Sequence, residues 1–223
     1  MESNIVVRET AKEMRDTAKL AIEGKWKKVI IAILIYFFAN IIPIGIFQFV
    51  FAGGFESFDM SGGVDNLIRI YSLLVTGAFS LSFAIITLSI VRNLDFQSSN
   101  IFSGFNYYFK TLGLYLYTLI FICLWTVLFI IPGIIAALRY SQAFYIFADD
   151  PSKGIKQCVE ESKELMKENK MKLFSLKISF IGWIFVGIFT GGIGFLWVVP
   201  YLETSMAVFY EILINNRKQY NII

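Results

Sequence analysis

Two charged side chains lie deep inside long apolar stretches: Arg139, six residues past Gly133, and Glu203, nine residues past Gly194. An ionisable group at the centre of a membrane-spanning helix costs about 2.5 to 3.5 kcal/mol or more, so each needs a partner. Their comparable depths predict an Arg139–Glu203 ion pair, direct or through water. Such a pair would either lock two spans together, with carbonyls freed near Pro132 as further partners for Arg139, or form a polar substrate or lipid-headgroup site. Tyr140, Gln142 and Tyr201 flank the two charges and complete the candidate binding set. A charge swap that restores stability yet abolishes transport would favour a site over a lock.

Other chemistry has little to work with. The chain has no histidine, which removes the commonest general base, proton relay and metal ligand. It contains no Gly-x-Ser-x-Gly elbow, no Cys or His metal cluster, no phosphate-binding Gly-x-x-x-x-Gly-Lys and no intramembrane pair of carboxylates. No catalytic residue, metal site or cofactor is expected, and a non-enzymatic protein is. The basic residues flank apolar runs instead of forming a patch with interleaved aromatics, so no nucleic-acid partner is expected.

The elements that position these residues follow from composition and charge. Of 223 residues 57% are hydrophobic, 17% aromatic and only 17% charged, the profile of a polytopic membrane protein. Seventeen of the twenty Lys and Arg residues fall in four stretches, and three turns between apolar runs hold none. Basic loops stay in the cytoplasm, so both termini are expected there and the chain crosses six times. The spans are expected at 29–51, 67–91, 111–131, 134–148, 173–190 and 195–214, followed by a short tail at 215–223. At 15 residues the fourth covers only about 22 Å of a core about 30 Å thick, leaving a re-entrant path open. Gly53 to Asn66, acidic and glycine-rich, reads as an outer loop. Arg69 near one membrane surface and Lys177 one turn into the fifth span are expected to snorkel. The leader is too acidic, and the first apolar run too long, for a cleaved signal peptide.

Three further segments are amphipathic and are expected to lie on the cytoplasmic leaflet, attracting anionic headgroups. They are the leader at 1–28, a short aromatic helix at 99–110 after a Ser98-Ser99 cap, and 152–170, with Asp150 as N-cap and Pro151 at the first helical position. Each precedes a basic junction and a pair of spans, which suggests a threefold internal repeat. Gly187 and Gly191 have the spacing for close helix packing, against the sixth span or a second protomer, and Pro132 with Gly133 shapes the turn after the third span. Tyr140, Tyr145, Tyr201, Trp26, Trp183 and Trp197 suit either a ligand cage or interfacial anchoring. Cys123 and Cys158 sit at different levels and are expected as free thiols, with Cys158 reactive from the cytoplasm.

The run Ile131-Pro132-Gly133-Ile134-Ile135-Ala136-Ala137-Leu138-Arg139-Tyr140-Ser141, followed by Phe144-Tyr145, Asp149-Asp150-Pro151 and Glu161-Ser162-Lys163, resembles a bacterial integral-membrane family, domain of unknown function 975. Ser179-Phe180-Ile181-Gly182-Trp183, Gly192-Ile193-Gly194, Trp197, Pro200-Tyr201 and Phe209-Tyr210-Glu211 extend the resemblance. It implies a multi-pass protein of the bacterial cell membrane and carries over no catalytic or binding residue. The expectation is an all-α six-span transmembrane helix bundle with a lipid-interacting or accessory envelope role. Its candidate partners are membrane lipids, a second copy or another membrane protein. The alternative is a transporter or channel for a small molecule, lipid or ion, using the region of Arg139 and Glu203.

Overall fold

The computed structural model describes residues 5–51 and 62–220; most of the expected outer loop, residues 53–61, lies outside them. Among the described residues every regular element is a helix. Six stretches are long and apolar enough to cross a membrane: Trp26–Ile46, Asn66–Val91, Ser98–Leu128, Ile130–Asp149, Lys170–Phe189 and Phe195–Gln219. The chain is therefore a multi-pass membrane protein of the all-α class.

Helix α1 (Ala11–Ile22) opens with a capping box, Thr10 accepting from the Glu13 amide while the Glu13 carboxylate accepts from the Thr10 amide. Those hydrogen bonds favour the ionised form and hold the Glu13 carboxyl below its usual pKa. The first two spans are α2 (Trp26–Phe51) and α3 (Gly62–Val91), both unbroken. A 3-10 helix (Ser98–Tyr107) stands where a short amphipathic α-helix was expected, and it leads into α4 (Tyr108–Leu128).

The next two spans are each interrupted. After an extended Phe129, α5 (Ile130–Tyr140) carries Pro132 in its first turn, where a missing N–H costs no helical hydrogen bond. The stretch breaks at Ser141-Gln142 before α6 (Ala143–Asp149). Helix α7 (Ile155–Leu165) docks on that break: the Ser162 hydroxyl donates to the Arg139 carbonyl at 2.7 Å and accepts from the Gln142 amide at 3.2 Å. The fifth span divides at Ser179-Phe180 into α8 (Lys170–Ile178) and α9 (Ile181–Phe189), and α10 (Phe195–Tyr220) closes the chain.

The expected cap of α7 is corrected. Asp150 follows α6 and accepts from the backbone and hydroxyl of Ser152, at 3.0 and 2.5 Å, while Gly154 takes the N-cap position. Asp side chains compete for local amides in this way in turns. Those two hydrogen bonds lower the Asp150 pKa.

Packing divides the molecule into two levels. At one, α1, α7 and the 3-10 helix are wedged among the spans: Val7, Ala18, Leu81, Ile146, Val159, Leu173 and Phe209 are buried in one core, and Ile22, Ile33, Ile86 and Ile101 in a second. At the other, the hairpins present bare apolar side chains, with Phe38 60%, Val127 88% and Phe189 86% exposed. A surface of that kind is unfavourable in water and fits a membrane-spanning region.

This arrangement changes the expected place of two amphipathic segments. Met14, Ala18 and Ile22 of α1, and Cys158, Val159 and Leu165 of α7, face protein instead of headgroups. Hydrogen bonds clamp the segment before α1 as well. Asn169 accepts from the Val7 amide at 2.8 Å and donates to the Ile5 carbonyl, and Asn216 donates to the Val6 carbonyl at 3.1 Å. Because its central member is 3-10, the three leading segments do not share one backbone form.

Cys123 and Cys158 are both free thiols. Burial of Cys158 removes it from reagents and pushes its pKa up to about 11. In native protein at pH 7.5, a maleimide should therefore leave Cys158 unmodified until detergent denaturation exposes it, in contrast to the accessibility expected from sequence. Rapid native labelling of Cys158, read by mass spectrometry, would show α7 to be undocked.

Candidate functional site

Residues two apart on an α-helix lie about 200° apart around its axis, so Tyr201 and Glu203 of α10 face nearly opposite ways. Each looks into its own hollow.

The hollow beside Glu203 has a volume of about 300 Å³ and is formed between α3, α5, α6, α8 and α10. Its charged lining residues are Glu203 and Lys177, with Ser80, Ser141 and Tyr145 as polar neighbours. The Tyr145 hydroxyl donates to the backbone carbonyl of Glu203 at 3.3 Å. Arg139 is absent from this lining, and its side chain is exposed. The expected Arg139–Glu203 pair is thus replaced by Lys177 facing Glu203. The cause is helical phase: Ala137 and Ser141, four residues apart, share the face of α5 that meets the cavity, and Arg139 between them points away. Among the described residues Arg139 has no ion pair; its fixed contact is the carbonyl that receives Ser162.

Tyr140 and Gln142 support the site without lining it. Tyr140 is buried against Phe121, ring centroids 6.5 Å apart, with the Lys163 ammonium 5.8 Å from its centroid. Gln142 is fully buried and donates to the Ser141 hydroxyl at 2.9 Å, while its Oε1 has no hydrogen-bond partner among the described residues.

The hollow beside Tyr201 is larger, about 650 Å³, and lies between α1, the start of α2, α9 and α10. Lys12, Arg15 and Lys19 line it from α1, together with Asp16. The spacing i, i+3, i+7 places the three cations on one helix face. Arg15 is partly committed: it donates to the Ser179 carbonyl at 2.8 Å and lies 5.9 Å from the centroid of the Phe180 ring. Lys12 and Lys19 are exposed and make no ion pair among the described residues. Trp26, Trp183 and Trp197, three of the chain's four tryptophans, line the same pocket. The Tyr201 ring meets Phe180 at 5.0 Å and Trp183 at 6.0 Å between centroids.

Sequence reasoning nominated Tyr201 and these tryptophans, yet missed the cations beside them. The signal was present, since Lys12, Arg15 and Lys19 recur at helical spacing along one flank of the apolar face of α1. Lys177, one turn into the fifth span, is exposed as expected of a snorkelling side chain and also borders the hollow beside Glu203.

The glycines separate by role. A Cβ on Gly133 would lie 2.1 Å from the Thr126 hydroxyl, so close approach of α4 and α5 requires glycine there, and Pro132 begins the return. Gly187 is packed on Phe195, where a Cβ would sit 2.7 Å from the ring. Gly191 does not pack on the sixth span: nothing in the chain lies within 4 Å of its Cβ position, and its φ of +65° serves the turn after α9. With Gly192 at φ +94° donating to the Gly187 carbonyl at 3.0 Å, it ends that helix.

No curated protein matches the chain, and no solved structure does. A family described as "Protein of unknown function (DUF975)" matches residues 127–217, from the end of α4 through most of α10. Over that stretch, which includes both Glu203 and Tyr201, the chain is similar to the DUF975 family.

Proposed function

We propose that this protein is a non-enzymatic, lipid-binding component of the bacterial cell membrane, with both termini cytoplasmic, and that it holds an anionic phospholipid in the pocket beside Tyr201. One observation carries the proposal: three cations from one face of α1 converge with three tryptophans on a single 650 Å³ hollow. The aromatic and aliphatic wall suits acyl chains and the glycerol region, as membrane-interface tryptophans do. Lys12 and Lys19 supply charge to a phosphate, opposed only by Asp16 within the lining. A cation near an anionic headgroup contributes about 1 kcal/mol, so the two lysines together amount to more than a tenfold preference. The distribution of basic residues orients the protein, since loops rich in Lys and Arg remain in the cytoplasm.

The three tryptophans are a built-in probe. With Trp125 replaced by Phe, phosphatidylglycerol brominated on its acyl chains should quench the remaining fluorescence at lower mole fraction than brominated phosphatidylcholine. Lys12→Gln with Lys19→Gln should reduce that preference about tenfold. Equal quenching by both lipids in the parent protein would refute the anionic site. Transport, the alternative role, draws its support from the cavity of Lys177 and Glu203, and flux into liposomes lost in Glu203→Gln would favour it.

A further inference from the structure

The cavity beside Glu203 combines features that lipid packing alone does not require. Lys177 and Glu203 line one space of about 300 Å³, yet the two are not in ion-pair contact. Opposite charges in a medium of low dielectric attract strongly, and closing on each other would satisfy both. The helices hold them apart instead. The volume is about ten times the share of one water molecule, so a single bridging water does not fill the gap.

The polar groups around the two charges are complementary to a particular kind of ligand. The Ser80 hydroxyl makes no hydrogen bond among the described residues, and Ser80 lines the cavity with Lys177, so both can donate to an anionic oxygen. Glu203 accepts, and the Tyr145 hydroxyl, which already donates its proton to the Glu203 carbonyl, keeps its lone pairs as acceptors. Phe144 and Leu202 supply apolar wall. Access is available at α8, where Lys177 is exposed and the neighbouring Ile178 and Ile181 are 45% and 48% exposed.

We infer that this cavity binds a zwitterion carrying a primary ammonium and an anionic oxygen group, the chemistry shared by an ethanolamine phospholipid headgroup and a free phosphoethanolamine. The anionic oxygens meet Lys177 and Ser80, and the ammonium N–H groups meet Glu203 and Tyr145. A quaternary ammonium of the same charge has no N–H to donate and is rejected at that end. The site is separate from the pocket of Lys12 and Lys19 and depends on different side chains.

The test titrates purified protein in detergent with short-chain phosphatidylethanolamine and phosphatidylcholine, by native mass spectrometry or calorimetry. The ethanolamine lipid should bind at least about tenfold more tightly, the usual cost of leaving a charged hydrogen-bonding group unpaired. Glu203→Gln and Lys177→Gln should each remove that preference, and Arg139→Gln should leave it intact. Displacement of the lipid by free phosphoethanolamine would assign the soluble zwitterion as a sufficient ligand; lipid binding without displacement would assign the headgroup with its chains. Equal affinity of the two lipids for the unmodified protein would overturn the inference whether or not the variants fold. The phosphatidylglycerol preference would be untouched by that result, so the two sites fail independently.

Discussion

Replacing Gly104 by alanine is expected to lower the melting temperature of the purified protein by about 10 °C or more, or to prevent its recovery as a monodisperse species. A Cβ at Gly104 would lie 1.9 Å from the carbonyl oxygen of Ala78 and 2.8 Å from the Ser82 hydroxyl. The first is helix backbone and cannot rotate away. The 3-10 helix would have to retreat from α3, giving up the 2.9 Å hydrogen bond from the Gly104 amide to the Ser82 hydroxyl and exposing Ile101. Overpacking costs about 1 to 3 kcal/mol or more, and a buried group left without its partner about 1 to 3 kcal/mol more. For a chain of this size each kcal/mol corresponds to about 2 to 4 °C. Gly182→Ala is the control, because that position is exposed with nothing within 4 Å of its Cβ. It should melt at or slightly above the parent temperature. Equal behaviour of the two variants would show that the 3-10 helix is not seated as described.

The second large effect belongs to Arg92. Its guanidinium joins the end of α3 to two other helices, reaching Asp149 at the end of α6 and Glu211 in α10, each at 2.5 Å. Hydrogen bonding to Asp149, opposed by desolvation and reinforced by Glu211, raises its pKa further, so the charge persists at every accessible pH. Tyr210 adds a donor to Asp149 at 2.8 Å. Arg92→Ala would leave two carboxylates side by side, both less than a quarter exposed. Breaking a buried pair costs about 3 to 5 kcal/mol, and partial exposure here reduces that to about 2 to 3 kcal/mol. A fall of several degrees is expected, with recovery of part of it in Arg92→Ala combined with Glu211→Gln. If the double variant melts no higher than the single one, carboxylate repulsion is not the cause. The bridge between Arg217, Glu161 and Lys153 ties α10 to α7 nearby, so local loosening there should be small.

How far the sequence could be read depended on the length scale of each signal. Spans were legible because twenty or so apolar residues make a signal that no local detail overrides, and each of the six expected spans overlaps one apolar helical stretch. The amphipathic stripes of α1 and α7 were legible as stripes, but periodicity reports that a face is buried and not what buries it. The pairing of Arg139 failed at a finer scale. Counting depth along straight rods put it level with Glu203, whereas a rotation of 200° between Arg139 and either Ala137 or Ser141 decides which face meets α10. Lys177 is both exposed and a cavity residue, and its position along the span alone does not reveal the second role; the division of α8 from α9 at Ser179-Phe180 is likewise marked by neither proline nor glycine.

The clamp on the first helix also sets an order of events during synthesis. Val7 is held by Asn169 and Val6 by Asn216, contacts separated by 162 and 210 residues. At about 5 to 20 residues per second, the ribosome takes roughly 10 to 40 s to deliver the last of those partners after α1 has emerged. Throughout that interval Met14 and Ala18 lack the α10 side chains that share their core, whereas Ile22 packs with α2 and α3, which emerge much earlier. Docking of the segment before α1 therefore waits for α10, which supplies Asn216.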